Sequence, residues 1–159
     1  MSDYKFVTIW RVKAPLEKVW NEIYHSEKWP EWWKGVEEVT ELEKGDELGV
    51  GSIRRYTWKS ALPYRLSFNI ETVRVEPMKS IEGIARGELA GSGVWSIIER
   101  DGYVTARYDW KVETTKSWMN LISPLAKPLF KWNHDVVMKW GAEGLARRLG
   151  AAVIDESGS

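Results

Sequence analysis

The side chains able to do chemistry are few. There are two histidines, His25 and His134, and no cysteine, which excludes a thiolate nucleophile, a disulfide frame and a three-histidine metal centre. Any metal site would have to rest on carboxylates, and neither a metal nor another cofactor is expected. His134 stands beside Asn133 in "KWNHDVVMKW". An imidazole titrating near neutrality in an apolar pocket is suited to moving a proton, as in an aldol cyclisation or a dehydration, with Tyr108 as a second proton-transfer group. The competing reading is a histidine hydrogen-bonded at a helix edge. His25 follows a helical stretch and reads as a surface or capping residue. "IRRYTWK" carries charge in both alternating phases, so either Arg54 or Arg55 points inward, where a guanidinium is suited to a carboxylate or phosphate head group. No Ser-His-Asp arrangement, phosphate loop or paired-carboxylate spacing stands out.

Aromatic residues are the abundant resource. The chain holds 11 tryptophans in 159 residues, and "SEKWPEWWKG" sets Trp29, Trp32 and Trp33 within five positions. Such a cluster suits an exposed platform, a membrane-interface anchor or the wall of a dry interior; tryptophans are on average highly buried, which favours the wall. Trp29 and Trp32 are then expected to face inward, with Glu31 and Lys34 outward.

Charge narrows the partners. Lys+Arg 23 against Asp+Glu 23 gives a net charge of zero, so there is no positive excess to hold a phosphate backbone, and nucleic acid is not an expected partner. No apolar run approaches the ~20 residues of a membrane span. Transient contact with a membrane surface stays open. The start "MSDYKFVTIW" lacks the pattern of a secretory signal, so a cytoplasmic location is expected.

The elements that must position these groups follow from periodicity. Residues 4–13 are rich in β-branched and aromatic residues and read as a strand, and "KAPLEKVWNEIYH" then shifts to helical spacing, with Pro15 in its first turn. Pro30 interrupts, leaving "PEWWKGV" as a second short helix or turn closed by Gly35. Turn residues divide 36–114 into six strands, making seven with the first. Asp101-Gly102 is the strongest signal, since a type I′ turn there fixes the register: Arg100 faces Tyr103, Ile97 faces Ala106, Trp95 faces Tyr108 and Gly93 faces Trp110. These residues are expected on one apolar face with Val104 and Val112, and Ser96, Thr105, Arg107, Asp109 and Lys111 on the other. The cover for the apolar face is residues 117–150, with Pro124 and Pro128 confining the regular helix to the part after Leu129. Phe130, Asn133, Val137, Gly141 and Gly144 share its sheet-facing side; Lys131, Asp135, Lys139 and Glu143 lie opposite. Residues 1–150 form one domain, and 151–159 are expected to be a disordered tail.

This order of elements, carried by "APLEKVW…WPEWW", "GVWSIIERDGYVTARYDWKVETT" and "WNHDVVMKWGAEGLARRL", resembles the START-like or SRPBCC superfamily, which includes the birch-pollen-allergen fold, and within it the polyketide cyclase/dehydrase-like branch. The resemblance spans residues 4–149. It implies an α+β helix-grip fold: a curved, antiparallel seven-stranded sheet wrapped around a long C-terminal helix, with two short helices between strands 1 and 2 and an elongated apolar cavity inside. Proteins of this kind include lipid carriers, hormone and quinone binders, and cyclases. The expected function is binding, transport or protection of a hydrophobic small molecule or lipid; the alternative is a cyclase or dehydratase working in the same cavity.

The expected lining combines sheet and helix: Tyr56, Trp58, Phe68, Trp95, Tyr108 and Trp110 from strands, Trp29 from the tryptophan cluster, and Phe130, Asn133, His134 and Val137 from the helix. In "SIEGIARGELA", Ile81, Gly83, Ala85, Gly87 and Leu89 share a face, and the small Gly83, Ala85 and Gly87 are expected to form cavity floor. Close approach of the helix through Gly141 or Gly144 is the competing explanation.

Overall fold

The computed structural model describes residues 3–115 and 117–156, with side-chain environments for 3–115 and 127–156. Alternation builds β1 (Asp3–Val12), which sends Tyr4, Phe6, Thr8, Trp10 and Val12 to the inner face. Helix α1 (Leu16–Tyr24) follows Pro15 and buries Val19, Trp20 and Ile23. It stops at His25, whose N–H reaches the Asn21 carbonyl at 3.1 Å, the capping position anticipated for it. The 3₁₀ segment Ser26–Glu31 comes next, and Gly35 turns the chain at φ 106°, a value that favours glycine.

Strands β2 (Val36–Glu43), β3 (Ile53–Lys59), β4 (Arg65–Glu76), β5 (Ser80–Gly87), β6 (Leu89–Arg100) and β7 (Tyr103–Thr114) form an antiparallel meander, and β1 pairs with β7. Helix α2 (Ser117–Leu149) crosses the inner face. The result is the helix-grip arrangement, with two differences from the sequence reading. Val153–Asp155 is a strand, β8, paired with β1 through Trp10, Arg11 and Val12, so the sheet has eight strands in the order β2-β3-β4-β5-β6-β7-β1-β8. Pairing satisfies backbone groups of β1 that a free tail would leave open; the last expected tail residues, 157–159, lie outside those described. The helix also begins at Ser117, carrying both prolines inside it, not after Leu129. Proline's own φ is helical, and each costs a local loss in the hydrogen-bond ladder that a long helix tolerates.

The β6–β7 register is the one expected, with Asp101 and Gly102 both at positive φ in the turn. Ile97, Trp95 and Gly93 share the inner face with Val104, Ala106, Tyr108, Trp110 and Val112. Arg100 and Tyr103 have the opposite parity and lie outside, where Arg11 sits 4.8 Å from the Tyr103 ring centre. Arg107 pairs with Asp109 on the same outer face.

Candidate functional site

The tryptophan cluster is built into the helix it faces. Trp29, Trp32 and Trp33 are all buried, Trp33 to 1% exposure, so three rings turn inward where two were expected. Glu31 and Lys34 point out: Glu31 meets Arg148 at 2.9 Å and Lys34 lies 4.6 Å from the Trp140 ring centre. The Trp33 indole donates to the Val137 carbonyl of α2 at 2.9 Å. It can come this close because Gly141 has no side chain: a Cβ there would stand 2.6 Å from the Trp33 ring and 2.8 Å from Trp10. One turn on, a Cβ on Gly144 would stand 1.7 Å from the Trp32 carbonyl oxygen. The helix glycines therefore admit the tryptophan turn and Trp10, not strand β5 as the packing alternative had it.

Between this wall, the sheet and α2 lies a cavity of about 140 Å³. Trp29 and Trp33 line it from the turn, Tyr4 and Phe6 from β1, Tyr56 and Trp58 from β3, and Leu66, Phe68 and Ile70 from β4. Trp95, Tyr108, Trp110 and Val112 line it from β6 and β7, and Phe130, Asn133, His134, Val137 and Met138 from α2. The rings pack in stacks and edges, Trp95 on Tyr108 at 4.5 Å and Trp33 against Trp58 at 5.2 Å, geometries that aromatic quadrupoles favour. Among the described residues, no Asp, Glu, Lys or Arg is in the lining. Half-buried Ser60, Tyr64 and Leu66 of the β3–β4 region also line the cavity, and the connection is tied to α2 by the Ala61 N–H donating to Asn133 Oδ1 at 3.0 Å.

His134 stacks on Phe6 with ring centres 4.0 Å apart, and neither ring nitrogen has a hydrogen-bond partner among the described residues. Asp135 is the nearest acid, but 3.9 Å from Nδ1 is too long for a hydrogen bond. Burial lowers the histidine's pKa, with Asp135 opposing, so the imidazole is neutral at neutral pH. Tyr108 moves the other way: burial, reinforced by Tyr56, raises its phenol so far that it stays protonated throughout the ordinary pH range. Tyr64 is pushed up to about 12, by burial first and Tyr4 second. Tyr56 is also raised by burial, against the lowering influence of Ser26, with which its hydroxyl shares a 2.6 Å hydrogen bond.

Strand parity settles the arginines: Arg54 shares the inner phase with Tyr56 and Trp58, and Arg55 is exposed. Arg54 does not reach the aromatic cavity. It lines a smaller cavity of about 70 Å³ behind Trp29, Tyr56, Trp95 and Tyr108, where it donates to Ser26 at 2.8 Å and pairs with Glu27 at 3.2 Å and Glu41 at 3.5 Å. Two carboxylates already answer its charge.

Of the residues expected to line the site, the structure brings together Trp29, Tyr56, Trp58, Phe68, Trp95, Tyr108, Trp110, Phe130, Asn133, His134 and Val137. Ala85 and Gly87 line neither cavity. Ala85 is buried in the sheet row between Ile70 and Gly91, and Gly87 bends the chain at φ 120° where a Cβ would press on the Phe68 backbone at 3.3 Å. Gly83, expected with them, does line the smaller cavity beside its β6 partner Gly93, but the space a side chain would take is filled by Ile70 at Gly83 and by Tyr108 and Trp110 at Gly93. Sequence reasoning missed Tyr4, Phe6 and Trp33; the period-two pattern of β1 and the four-residue spacing of Trp29 and Trp33 were the signals.

A curved antiparallel sheet gripping one long helix around an aromatic cavity defines a START-type helix-grip fold. Solved structures superpose on it. One is TTHA0849 from Thermus thermophilus, with TM-score 0.73 and 17% identity, covering 92% of this chain and 97% of that one. Another is a START superfamily protein from Mycobacterium smegmatis, with TM-score 0.72 and 15% identity over 93% and 97% of the two chains. The ZhuI aromatase/cyclase from Streptomyces sp. R1128 gives TM-score 0.60 and 14% identity over 92% and 96%. At such identities the likeness is one of fold. No curated protein matches the chain by sequence. The family model described as "Polyketide cyclase / dehydrase and lipid transport" matches residues 12–145, and the chain belongs to that family. Among the described residues, no helix is long and apolar enough to cross a membrane.

Proposed function

We propose that the protein encloses a hydrophobic small molecule in the aromatic cavity and carries or protects it. The observation that supports this reading is the cavity itself: about 140 Å³ of space walled by rings, with no charged side chain among its described lining. Burying apolar ligand surface contributes about 25 cal/mol per Å² before ordering costs, so such walls supply affinity without a dedicated ion pair. The test is native mass spectrometry of protein taken from its native host, followed by solvent extraction. A discrete extractable adduct of low polarity is expected. Protein of bare chain mass that also takes up no apolar fluorescent probe would overturn the proposal.

A cyclase or dehydratase in the same cavity is the second reading, favoured by one observation: a neutral imidazole among the cavity residues whose ring nitrogens have no hydrogen-bond partner among the described residues. His134 is then the proton-transfer group; Tyr108, its phenol raised far up, is a poor partner. His134→Gln separates the readings. A reaction would fall by a factor of about 100 or more while probe uptake persists, whereas carriage would not need the imidazole's basicity.

A further inference from the structure

The smaller cavity is chemically unlike the aromatic one. Its wall follows one cross-strand row on the inner face of the sheet. Ser52 stands beside Thr72, whose N–H donates to the Ser52 carbonyl at 3.0 Å; Thr72 pairs with Gly83, and Gly83 with Gly93. Alternation turns this row inward, in phase with Arg54, Tyr56 and Ile70, which also line the cavity. Tyr108 comes from the neighbouring row, opposite Trp95, and leans its hydroxyl over Gly93, where a Cβ would collide with it. Tyr108 therefore lines both cavities, while its hydroxyl ends against a glycine that lines only the smaller one.

Three hydroxyls of this wall are open. Tyr108 Oη, Ser52 Oγ and Thr72 Oγ1 have no hydrogen-bond partner among the described residues, yet they are not sealed from water as Tyr4 Oη and Trp58 Nε1 are. Ser52 is only 5% exposed, so the space its hydroxyl meets is the cavity. Neighbouring hydroxyls are already engaged: Tyr24 donates to the Leu48 carbonyl at 2.6 Å, and Ser26 bonds Tyr56 and Arg54. Because a hydroxyl both donates and accepts, the open wall favours a molecule that does both. Charge of either sign is poorly served. Arg54 is held by Glu27 at 3.2 Å and Glu41 at 3.5 Å, which leaves no unshared cation for an anion. A cation meets no carboxylate, since no Asp or Glu among the described residues is in the lining. The space of about 70 Å³ exceeds what one water needs and suits a molecule of about four non-hydrogen atoms. Exposed Leu48 and Gly49 of the β2–β3 connection join the lining and mark the side nearest solvent.

We propose that the smaller cavity is a second binding site, separate from the aromatic one, in which Ser52, Thr72 and Tyr108 hold a small uncharged molecule that both donates and accepts hydrogen bonds, such as a primary amide or a diol. Acetamide, acetate and acetamidinium share nearly one shape and differ in charge. Their titration into nitrogen-15-labelled protein, at neutral pH and matched ionic strength, tests the assignment through the amide signals of Gly83 and Gly93. Acetamide is expected to move both signals saturably, with a Kd on the order of 10 mM, modest because so small a ligand has few atoms to bind with. Each ion is expected to bind at least about tenfold more weakly, for want of a free counter-charge. Tyr108→Phe, Ser52→Ala and Thr72→Val should each weaken acetamide binding about three- to tenfold, the worth of one hydrogen bond. Amide dispersion preserved across the rest of the spectrum reports an intact fold, and any variant that loses it is set aside for the other two. Shifts that grow linearly without saturating, an ion that binds as tightly as acetamide, or an affinity unchanged in every folded variant overturns the assignment. None of these outcomes bears on the aromatic cavity, whose own test is uptake of an apolar probe.

Discussion

Replacing Gly144 by alanine sets two effects of opposite sign against each other, and the structure decides between them. In an exposed helix interior the change stabilises by about 1 kcal/mol, because glycine loses more backbone freedom than alanine. Here the new Cβ would lie 1.7 Å from the Trp32 carbonyl oxygen, while real Cβ contacts essentially never fall below 3.0 Å, so something must shift by more than an ångström. The obstacle is backbone, in a turn whose three rings are buried, so no flexible side chain can swing away. Overpacking of this kind costs about 1–3 kcal/mol and overrides the propensity gain. Because the obstacle is backbone, the cost falls at the upper end of that range, and a net loss of about 2 kcal/mol is expected, read as a fall of about 4–8 °C in Tm by calorimetry and a lower urea midpoint at unchanged slope. Because Trp29 and Trp33 wall the cavity from the same turn, uptake of an apolar probe should weaken too. A Gly144→Ala protein as stable as the parent, or more so, would refute the close fit of turn and helix.

Three further outcomes are expected. Burial lowers the folded-state pKa of His134 from the ordinary 6.5, so above that pH it contributes no pH dependence, and as pH falls below it the unfolded chain takes up a proton that the folded state resists. Stability should therefore fall from about pH 6.5 towards pH 5, measured by urea unfolding, and His134→Leu should flatten that slope; Asp135 and Lys131 on α2 and Asp155 on β8 are the charges that bear on it, and Asp135, whose own pKa is lowered, acts only at more acidic pH. Ending the chain at Gly150 removes β8 and opens the β1 edge at Trp10, Arg11 and Val12, so light scattering should show concentration-dependent association that the full chain lacks. Tryptophan emission should be blue-shifted and largely shielded from iodide, with Trp132, 52% exposed, the most accessible of the described tryptophans; Trp132→Phe should reduce the quenching.

What the sequence made legible is what local rules control. Alternation and the Asp101-Gly102 turn define the register of β6 and β7, and with it the positions of Trp95, Tyr108 and Trp110, because a hairpin's pairing depends on its own turn. The face of α2 from Phe130 to Gly144 is legible for the same reason: one helical period suffices. The misses depend on partners distant in the chain. Gly83, Ala85 and Gly87 share a parity, but only Gly83 reaches a cavity, the smaller one, and only pairing between strands shows that. Val153–Asp155 is too short to read as a strand until β1 is seen with an open edge. Arg54 and Arg55 could not be told apart from "IRRYTWK" alone; the pairing of Tyr56 with Phe68 separates them.

The indole of Trp33 is fastened by hydrogen bond to the same helix that carries Asn133 and His134. That part of the cavity wall is thus fixed. The space cannot widen there by pushing the ring aside without breaking the bond to Val137 and dislodging Trp33 from the notch at Gly141. The indole acts as a rivet between turn and helix, so the wall on this side moves only if the packing of the fold loosens with it.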